Sequence, residues 1–139
     1  MDTPRFSVSR LSFCVAIYHS TQEHARELMR YYDPIRDVLG YTVLENEVTF
    51  YLSMLPTNTA THEIFRMKCI GDGRRYHVFD IHEDQPGIDH VGIIHRISKR
   101  FVEHNIPILY VNTYGHNLVL VEEEHVSRVV ELLSDIAYL

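Results

Sequence analysis

Residues 85–117, QPGIDHVGIIHRISKRFVEHNIPILYVNTYGHN, contain the pattern that decides the fold. Apolar residues recur there at helical spacing and predict one buried stripe: Ile93, Ile94, Ile97 and Phe101. Charged residues fall between them and predict a face toward water: Arg96, Lys99, Arg100 and Glu103. Asp89 is of the type that caps a helix, and Asn105 is a suitable end for it. The stretch therefore predicts an amphipathic helix that leads into a strand.

The elements on either side of this helix predict the second half of the chain. Tyr76–His82 reads as a strand before it, and Ile108–Tyr114 and Asn117–Val121 read as two strands around Gly115-His116. A last helix starts after the acidic run Glu122–Glu124, where negative charge suits the helix dipole. Its apolar stripe consists of Val126, Val129, Val130 and Leu133. The predicted order is βαββα.

The first half predicts a similar order. Phe6–Tyr18 is a mostly apolar strand that ends at Ser20-Thr21-Gln22-Glu23, in which Ser20 and Glu23 have the spacing of a capping box. The helix that follows has an apolar stripe of Ala25, Leu28, Met29 and Tyr32, is interrupted at Pro34 and has finished by Gly40. Tyr41–Leu44 and Val48–Leu55 then predict a hairpin.

A connector and one more strand complete the first half. Pro56–Thr61 is rich in Pro, Thr and Asn, and predicts a loop. After it, Phe65, Met67 and Cys69 alternate with Arg66 and Lys68, which predicts a half-buried strand before Gly71-Asp72-Gly73. Both halves contain a βαββ order, so we expect an α+β chain of two ferredoxin-like subdomains with antiparallel sheets, residues 1–75 and 76–139.

Composition narrows the class of protein. The chain has 139 residues, 45% of them apolar, which is enough to bury a core without a metal or a disulfide. Its net charge is −6 and its 13 Lys and Arg are scattered, so no nucleic-acid partner is expected. No signal peptide and no apolar run of the ~20 residues that span a bilayer is apparent, so no membrane partner is expected either. Cys14 and Cys69 lack CxxC spacing, which favours free thiols in the cytoplasm.

Three motifs in the second half resemble a known family. They are Gln85-Pro86-Gly87-Ile88-Asp89-His90-Val91-Gly92-Ile93-Ile94, then Phe101-Val102-Glu103-His104-Asn105-Ile106-Pro107-Ile108, then Tyr110-Val111-Asn112-Thr113-Tyr114. Together with the exit Leu120-Val121-Glu122-Glu123, they resemble the second repeat of tandem ACT-domain proteins, including small ACT proteins and the cytosolic arginine sensors of the TORC1 pathway (the CASTOR family). Over residues 1–75 little besides the hairpin corresponds.

The resemblance implies a non-catalytic regulatory protein that binds a small-molecule effector, such as an amino acid, between ACT units. It implies no cofactor and no metal. The arginine sensors contain four such units and this chain has two, so a homodimer would rebuild the assembly. A protein partner in nutrient signalling is a further implication.

The residues also supply a physical case for a ligand site. Backbone N–H groups at the start of the helix, over Ile88, Asp89, His90, Val91, Gly92 and Ile93, suit a ligand carboxylate. Carbonyl groups at its end, over Asn105, Ile106, Pro107 and Ile108, suit an ammonium group. We expect these two edges, with Asn117 on the first side, to meet across a dimer.

The sequence constrains the identity of the ligand less than it constrains the place of the site. By resemblance, the arginine sensors have carboxylates near the positions of His90 and Asn117, and this chain has none there. A guanidinium group would lose two charge-assisted partners, each worth about 1.5–3 kcal/mol, so arginine is disfavoured.

Three other interpretations remain open. Gly92 and Pro107 are also explained by helix packing and by the turn into a strand, without any ligand. Residues 88–93 resemble the metal-bearing strand of vicinal-oxygen-chelate enzymes, with His90 as ligand and Asp80, His82 and Glu122 to complete the site. An exposed edge at Ile108–Tyr114 would suit a dimerisation or protein-interaction module.

Overall fold

A computed structural model of the protein describes residues 6–30, 38–71, 74–83, 90–113 and 115–137. The first half contains β1 (Phe6–Thr21), α1 (Gln22–Leu28), β2 (Val38–Leu44), β3 (Glu47–Met54) and α2 (Thr59–Lys68). The second contains β4 (Tyr76–Glu83), α3 (His90–Glu103), β5 (Leu109–Asn112), β6 (Asn117–Glu122) and α4 (Val126–Ser134). Short 3₁₀ turns, Pro56–Asn58 and Glu123–His125, precede α2 and α4. The order βαββα thus occurs twice.

The strands form a sheet in the order β2-β3-β1-β4-β6-β5. Each half contributes the same local order, with its third strand between its second and its first. The pairs β1–β3, β2–β3 and β5–β6 are antiparallel. This arrangement confirms the α+β class with ferredoxin-like folds.

Close packing divides the chain into two compact units. The amino-terminal unit is Phe13–Tyr76, and the carboxy-terminal unit combines His77–Leu139 with the start of the chain up to Ser12. Strand β1 therefore contributes residues to both units. The linear division into residues 1–75 and 76–139 stays a prediction, and the packing adds that the beginning of β1 belongs with the second half.

The core of the carboxy-terminal unit lies between α3, α4 and one face of its strands. It consists of Phe6, Val8, Phe79, Ile81, Ile93, Ile97, Phe101, Ile106, Val119, Val121, Val126, Val129, Leu132 and Leu133. The predicted stripes of α3 and α4 are confirmed, with Ile94 and Val130 only partly buried. Arg96 is half-buried rather than fully in water, because its guanidinium lies 5.3 Å from the centre of the Phe6 ring.

The core of the amino-terminal unit combines its strands with α1 and α2. It consists of Ala16, Tyr18, Ala25, Leu28, Val48, Phe50, Leu52 and Phe65. The predicted hairpin and the buried positions Ala25 and Leu28 are confirmed, whereas Met29 is 38% exposed. Tyr32 and Pro34 lie outside the described residues.

The strand predicted over Phe65–Cys69 is wrong, because these residues belong to α2 and its end. Met67 is 83% exposed, so it does not share a face with Phe65. Buried Asn58 begins the helix: it accepts from Leu55 N at 3.0 Å and donates to Ser53 O at 2.7 Å. His62 Nε2 also lies 3.0 Å from Ser53 O. Burial then follows the helical spacing of His62, Phe65 and Cys69, and not an alternation.

The N-cap predicted at Ser20, with Glu23 completing a capping box, is wrong, because the cap of α1 lies one residue later. Thr21 is the N-cap of α1, and its hydroxyl oxygen accepts from His24 N at 3.2 Å. Ser20 remains in β1, where its side chain donates to Thr21 O. β1 continues to Thr21 because its pairing with β3 extends that far, to Glu47.

Candidate functional site

The first predicted edge of the ligand site lies at the start of α3. Ile88 and Asp89 are outside the described residues, and His90, Val91 and Gly92 form the first turn of the helix. Ile93 is 4% exposed and belongs to the core. A ligand at this edge would therefore contact backbone in preference to the Ile93 side chain.

The second predicted edge, Asn105–Ile108, follows the end of α3. Asn105 has a φ of +54°, which is the left-handed conformation that closes helices. Asn105 N donates to Val102 O at 3.2 Å, and Ile106 N donates to Phe101 O at 2.9 Å, which together form a Schellman motif. Pro107 is exposed, and Ile108 packs against the core next to buried Ile106.

This motif engages part of the carbonyl groups at the end of the helix. The carbonyls of Phe101 and Val102 accept backbone N–H groups, and the carbonyl of Arg100 accepts from His104 Nδ1 at 2.9 Å. These three carbonyl groups are therefore already engaged, and the carbonyl groups of Asn105–Ile108 stay the predicted acceptors for a ligand ammonium group.

The two predicted edges are far apart within one chain. Ile93 and Asn105 are separated by almost the whole of α3, which at 1.5 Å per residue amounts to about 18 Å. Asn117 begins β6, and its Oδ1 accepts from the Tyr110 hydroxyl at 3.2 Å. The ligand site, and its completion across a dimer, stay predictions.

A different group of polar side chains converges around Asp80 in the carboxy-terminal unit. Asp80 is at the centre of β4, between core residues Phe79 and Ile81, so strand alternation places its side chain on the opposite face of the sheet. It is only 3% exposed. His116 Nδ1 donates to Asp80 Oδ2 at 2.7 Å, and His82 Nε2 lies 3.6 Å from the same oxygen. Ser9 Oγ, from β1, is 2.9 Å from His82 Nε2.

The second carboxylate oxygen of Asp80 has a different environment. Asp80 Oδ1 is fully buried, and no described residue donates a hydrogen bond to it. A buried acceptor without a donor costs about 1–3 kcal/mol, and more when it is charged. We call Ser9, Asp80, His82 and His116 the Asp80 cluster.

The Asp80 cluster lacks the geometry of a catalytic triad. In a triad the carboxylate binds one imidazole nitrogen and the nucleophile binds the other. Here both Ser9 and Asp80 approach the same nitrogen, His82 Nε2. The carboxylate cannot orient this imidazole to remove a proton from Ser9.

Metal binding by the residues named from sequence is not favoured by their placement. The strand position that the vicinal-oxygen-chelate interpretation needs for His90 is wrong, since His90 is the first residue of α3. Among the described residues, a different trio places its donor atoms within 4.8 Å of one another: Glu122, Glu124 and His125. Glu124 is exposed and pairs with His125 at 3.4 Å, as is common for surface acids.

Cys69 is also disfavoured as a nucleophile. Burial raises the pKa of the Cys69 thiol to about 11. The reactive thiolate is therefore scarce at neutral pH.

The sequence contained one signal for the Asp80 cluster. A charged residue in the middle of an apolar strand is unusual, and Asp80 is flanked on both sides by core residues. Its pairing with His116, 36 positions later, depends on the fold and has no local signature.

Comparison with known proteins finds a similarity over this part of the chain. Residues 73–135 match the ACT domain. The match includes β4 to α4, and therefore Asp80, His82 and His116. It covers less than half of the chain. No curated protein sequence matches the chain significantly.

Solved structures share the fold over nearly the full chain. A protein from Agrobacterium tumefaciens superposes with a TM-score of 0.70 at 16% identity, over 96% of this chain and 90% of its own. A putative C-terminal regulatory domain of aspartate kinase from Porphyromonas gingivalis W83 gives 0.61 at 16% identity, over 99% of this chain and 100% of its own. Aspartokinase III of E. coli, in complex with aspartate and ADP, gives 0.60 at 14% identity, over 97% of this chain but 34% of its own.

No helix in the described part of the chain is both long enough and apolar enough to cross a membrane.

Proposed function

We propose that this protein is a non-catalytic regulatory protein that binds a small molecule, with a free amino acid as the most suitable class. The observation that carries the proposal is the ACT match over residues 73–135. The likeness to a putative regulatory domain of aspartate kinase supports it, because that likeness covers 99% of this chain and all of the other. The fold is therefore shared over nearly all of both chains.

The proposed assembly is a homodimer in the cytoplasm. A second copy would bring the start of α3 in one chain toward Asn105–Ile108 in its partner, which one chain alone does not do. Cys14 and Cys69 are not in a disulfide, which favours a reducing compartment. A signalling protein that responds to the bound state would be the downstream partner.

A thermal-shift screen against the twenty free amino acids tests the proposal. A ligand present at 100 times its Kd stabilises the native state by about 2.7 kcal/mol, which raises the midpoint of unfolding by several degrees. We expect at least one amino acid to do so. A screen in which no amino acid raises the midpoint of unfolding would contradict amino-acid binding. A protein that sediments as a monomer at micromolar concentrations would contradict the homodimer.

A second candidate function is an interaction module without a small ligand. The sheet ends in two edge strands, β2 and β5. Both carry exposed apolar side chains: Tyr41, Val43 and Leu44 on β2, and Leu109 and Tyr110 on β5. An exposed apolar edge can add a strand from another chain. Dimerisation that is lost in Leu109→Lys, together with a flat ligand screen, would favour this alternative.

A further inference from the structure

We propose that the Asp80 cluster binds the protonated amine of the effector. This inference rests on the proposed function and assigns to it a site apart from the two predicted edges. It starts from Asp80, a carboxylate that is 3% exposed on the face of β4 opposite the core.

The cluster is short of hydrogen-bond donors. Both imidazole contacts of Asp80 involve Oδ2, at 2.7 Å from His116 and 3.6 Å from His82. Oδ1 is buried and receives no donor from the described residues. A group that complements this site must bring N–H donors and positive charge, and a protonated amine brings both.

The approach to Asp80 is lined by histidines. The side chain of His116 is 58% exposed and that of His82 is 47% exposed, whereas the Asp80 side chain is 5% exposed. An amine therefore reaches the carboxylate past these imidazoles, whose nitrogen lone pairs accept further N–H groups in the neutral form. His116 is not among the core residues, so its exposed imidazole can turn aside without disturbing the core.

An amine fits this cluster better than a metal ion does. A metal needs three or more donor atoms around one point, and among the described residues the trio that meets this condition is Glu122, Glu124 and His125. Asp80, His82 and His116 do not form such a group. An ammonium group tolerates a wider spacing of these donor atoms than a metal ion does. Its hydrogen bonds are about 2.8 Å long, which is longer than the bonds between a metal ion and its ligands.

Calorimetric titration of the whole chain tests the inference, with each of the twenty free amino acids as probe. For an amino acid that binds, the same carboxylic acid without its amine is titrated as the matched probe. We expect the acid without the amine to bind at least tenfold more weakly. Asp80→Asn, which keeps the shape of the side chain, should weaken binding of the amino acid about tenfold to a hundredfold.

Glu131→Gln is the control, because it removes an exposed carboxylate on α4 that pairs with Arg128. It should leave the affinity unchanged. Far-UV circular dichroism checks that Asp80→Asn folds, and His116→Ala, a change on the surface, is the second variant if it does not. His116→Ala should also weaken binding, since Asp80 loses the group that orients it.

Each contrary result has a distinct meaning. An amino acid that binds the natural protein and Asp80→Asn equally would overturn this inference and leave the proposed function standing. Binding of no amino acid to the natural protein would overturn both. Stoichiometric Zn²⁺ binding that Asp80→Asn abolishes would reassign the cluster to a metal and overturn the amine site.

Discussion

At the scale of single residues, Gly71 has a conformation that other residues rarely adopt. Its φ is +145°, and a Cβ atom there would lie 2.7 Å from Ile17 O. The close approach exists because Ile70 and His19 exchange two backbone hydrogen bonds of 2.8 Å. We expect Gly71→Ala to lower the free energy of unfolding by about 1–3 kcal/mol in urea denaturation. Gly40→Ala is the control, because nothing lies within 4 Å of its Cβ. Equal stability of the two variants would contradict the close approach.

The Cys69 thiol gives a prediction of reactivity. Its pKa rises from 9.0 to about 11 because burial penalises the thiolate. At pH 8 we expect Cys69, in a Cys14→Ala background, to react with iodoacetamide about a hundredfold more slowly than a free thiol of pKa 9.0. The same chain in urea is the control and should react at the ordinary rate. Rapid alkylation of the folded chain would contradict the burial.

The same pKa shift predicts how stability depends on pH. Below pH 9 the thiol is neutral in both the folded and the unfolded chain. Between pH 9 and pH 11 the unfolded chain has lost its proton while the folded chain retains it, so the free energy of unfolding falls as pH rises. We expect this loss in the natural protein relative to Cys69→Ala, measured by urea denaturation across that range. If the free energies of unfolding of the natural protein and of Cys69→Ala change in parallel with pH, ionisation of Cys69 does not lower the stability.

At the scale of elements, the start of α1 distinguishes two neighbouring hydroxyl groups. The Thr21 side chain accepts from His24 N, whereas Ser20 donates to a carbonyl within β1. Thr21→Ala should therefore lower the free energy of unfolding by about 1 kcal/mol, and Ser20→Ala by much less. Chemical denaturation of both variants measures the difference. A larger loss of stability in Ser20→Ala than in Thr21→Ala would show that Ser20 is the N-cap, as the sequence predicted.

Whether residues 65–69 form a helix or a strand can be tested by a similar pair of variants. Phe65 is fully buried against the Tyr18 and Phe50 rings, at centroid distances of 5.8 and 5.1 Å, while Met67 is 83% exposed. Phe65→Ala should cost about 3–5 kcal/mol, and Met67→Ala should stay within about 0.5 kcal/mol. In the strand that the alternation predicted, the two side chains would lie on the same buried face, and both substitutions would lower the free energy of unfolding. Unfolding curves of the two variants decide between these structures.

The elements that were predicted correctly have a pattern that fits one period only. The stripe of Ile93, Ile94 and Ile97 fits a helix and no strand, because the adjacent Ile93 and Ile94 would lie on opposite faces of a strand. The alternation of Val48, Phe50 and Leu52 fits a strand and no helix. Phe65 and Cys69 fit both, since four residues is one helical turn and two strand repeats. Asn58 and His62 both bind the Ser53 carbonyl and so tie the start of α2 to β3, and sequence spacing does not reveal that network.

The candidate site was less predictable than the fold, because its contacts are distant in sequence. Asp80 and His116 are on β4 and next to β6, and Ser9 comes from β1. The composition of residues 85–117 pointed to the helix ends instead. There the Schellman motif at Asn105 already satisfies the carbonyls of Phe101 and Val102, which depends on the left-handed conformation of one residue.

At the scale of the whole molecule, strand β1 contributes residues to both compact units. Phe6 and Val8, from the beginning of β1, are buried in the core of the carboxy-terminal unit. Val8 is 4% exposed and Phe6 is fully buried. A division of the chain between residues 75 and 76 would therefore remove two core side chains from the second half.

This dependence predicts the behaviour of a fragment. Residues 76–139 alone should be largely unfolded, because loss of Phe6 by itself removes contacts worth about 3–5 kcal/mol out of a total stability of about 5–15 kcal/mol. Adding a synthetic peptide of residues 1–12 should restore helical structure in far-UV circular dichroism, whereas the same peptide with Phe6→Ala and Val8→Ala should not. Both outcomes follow from burial of these two side chains against α3 and α4. A fragment that folds cooperatively without the peptide would show instead that the second half is an independent domain and that β1 adds only an edge to it.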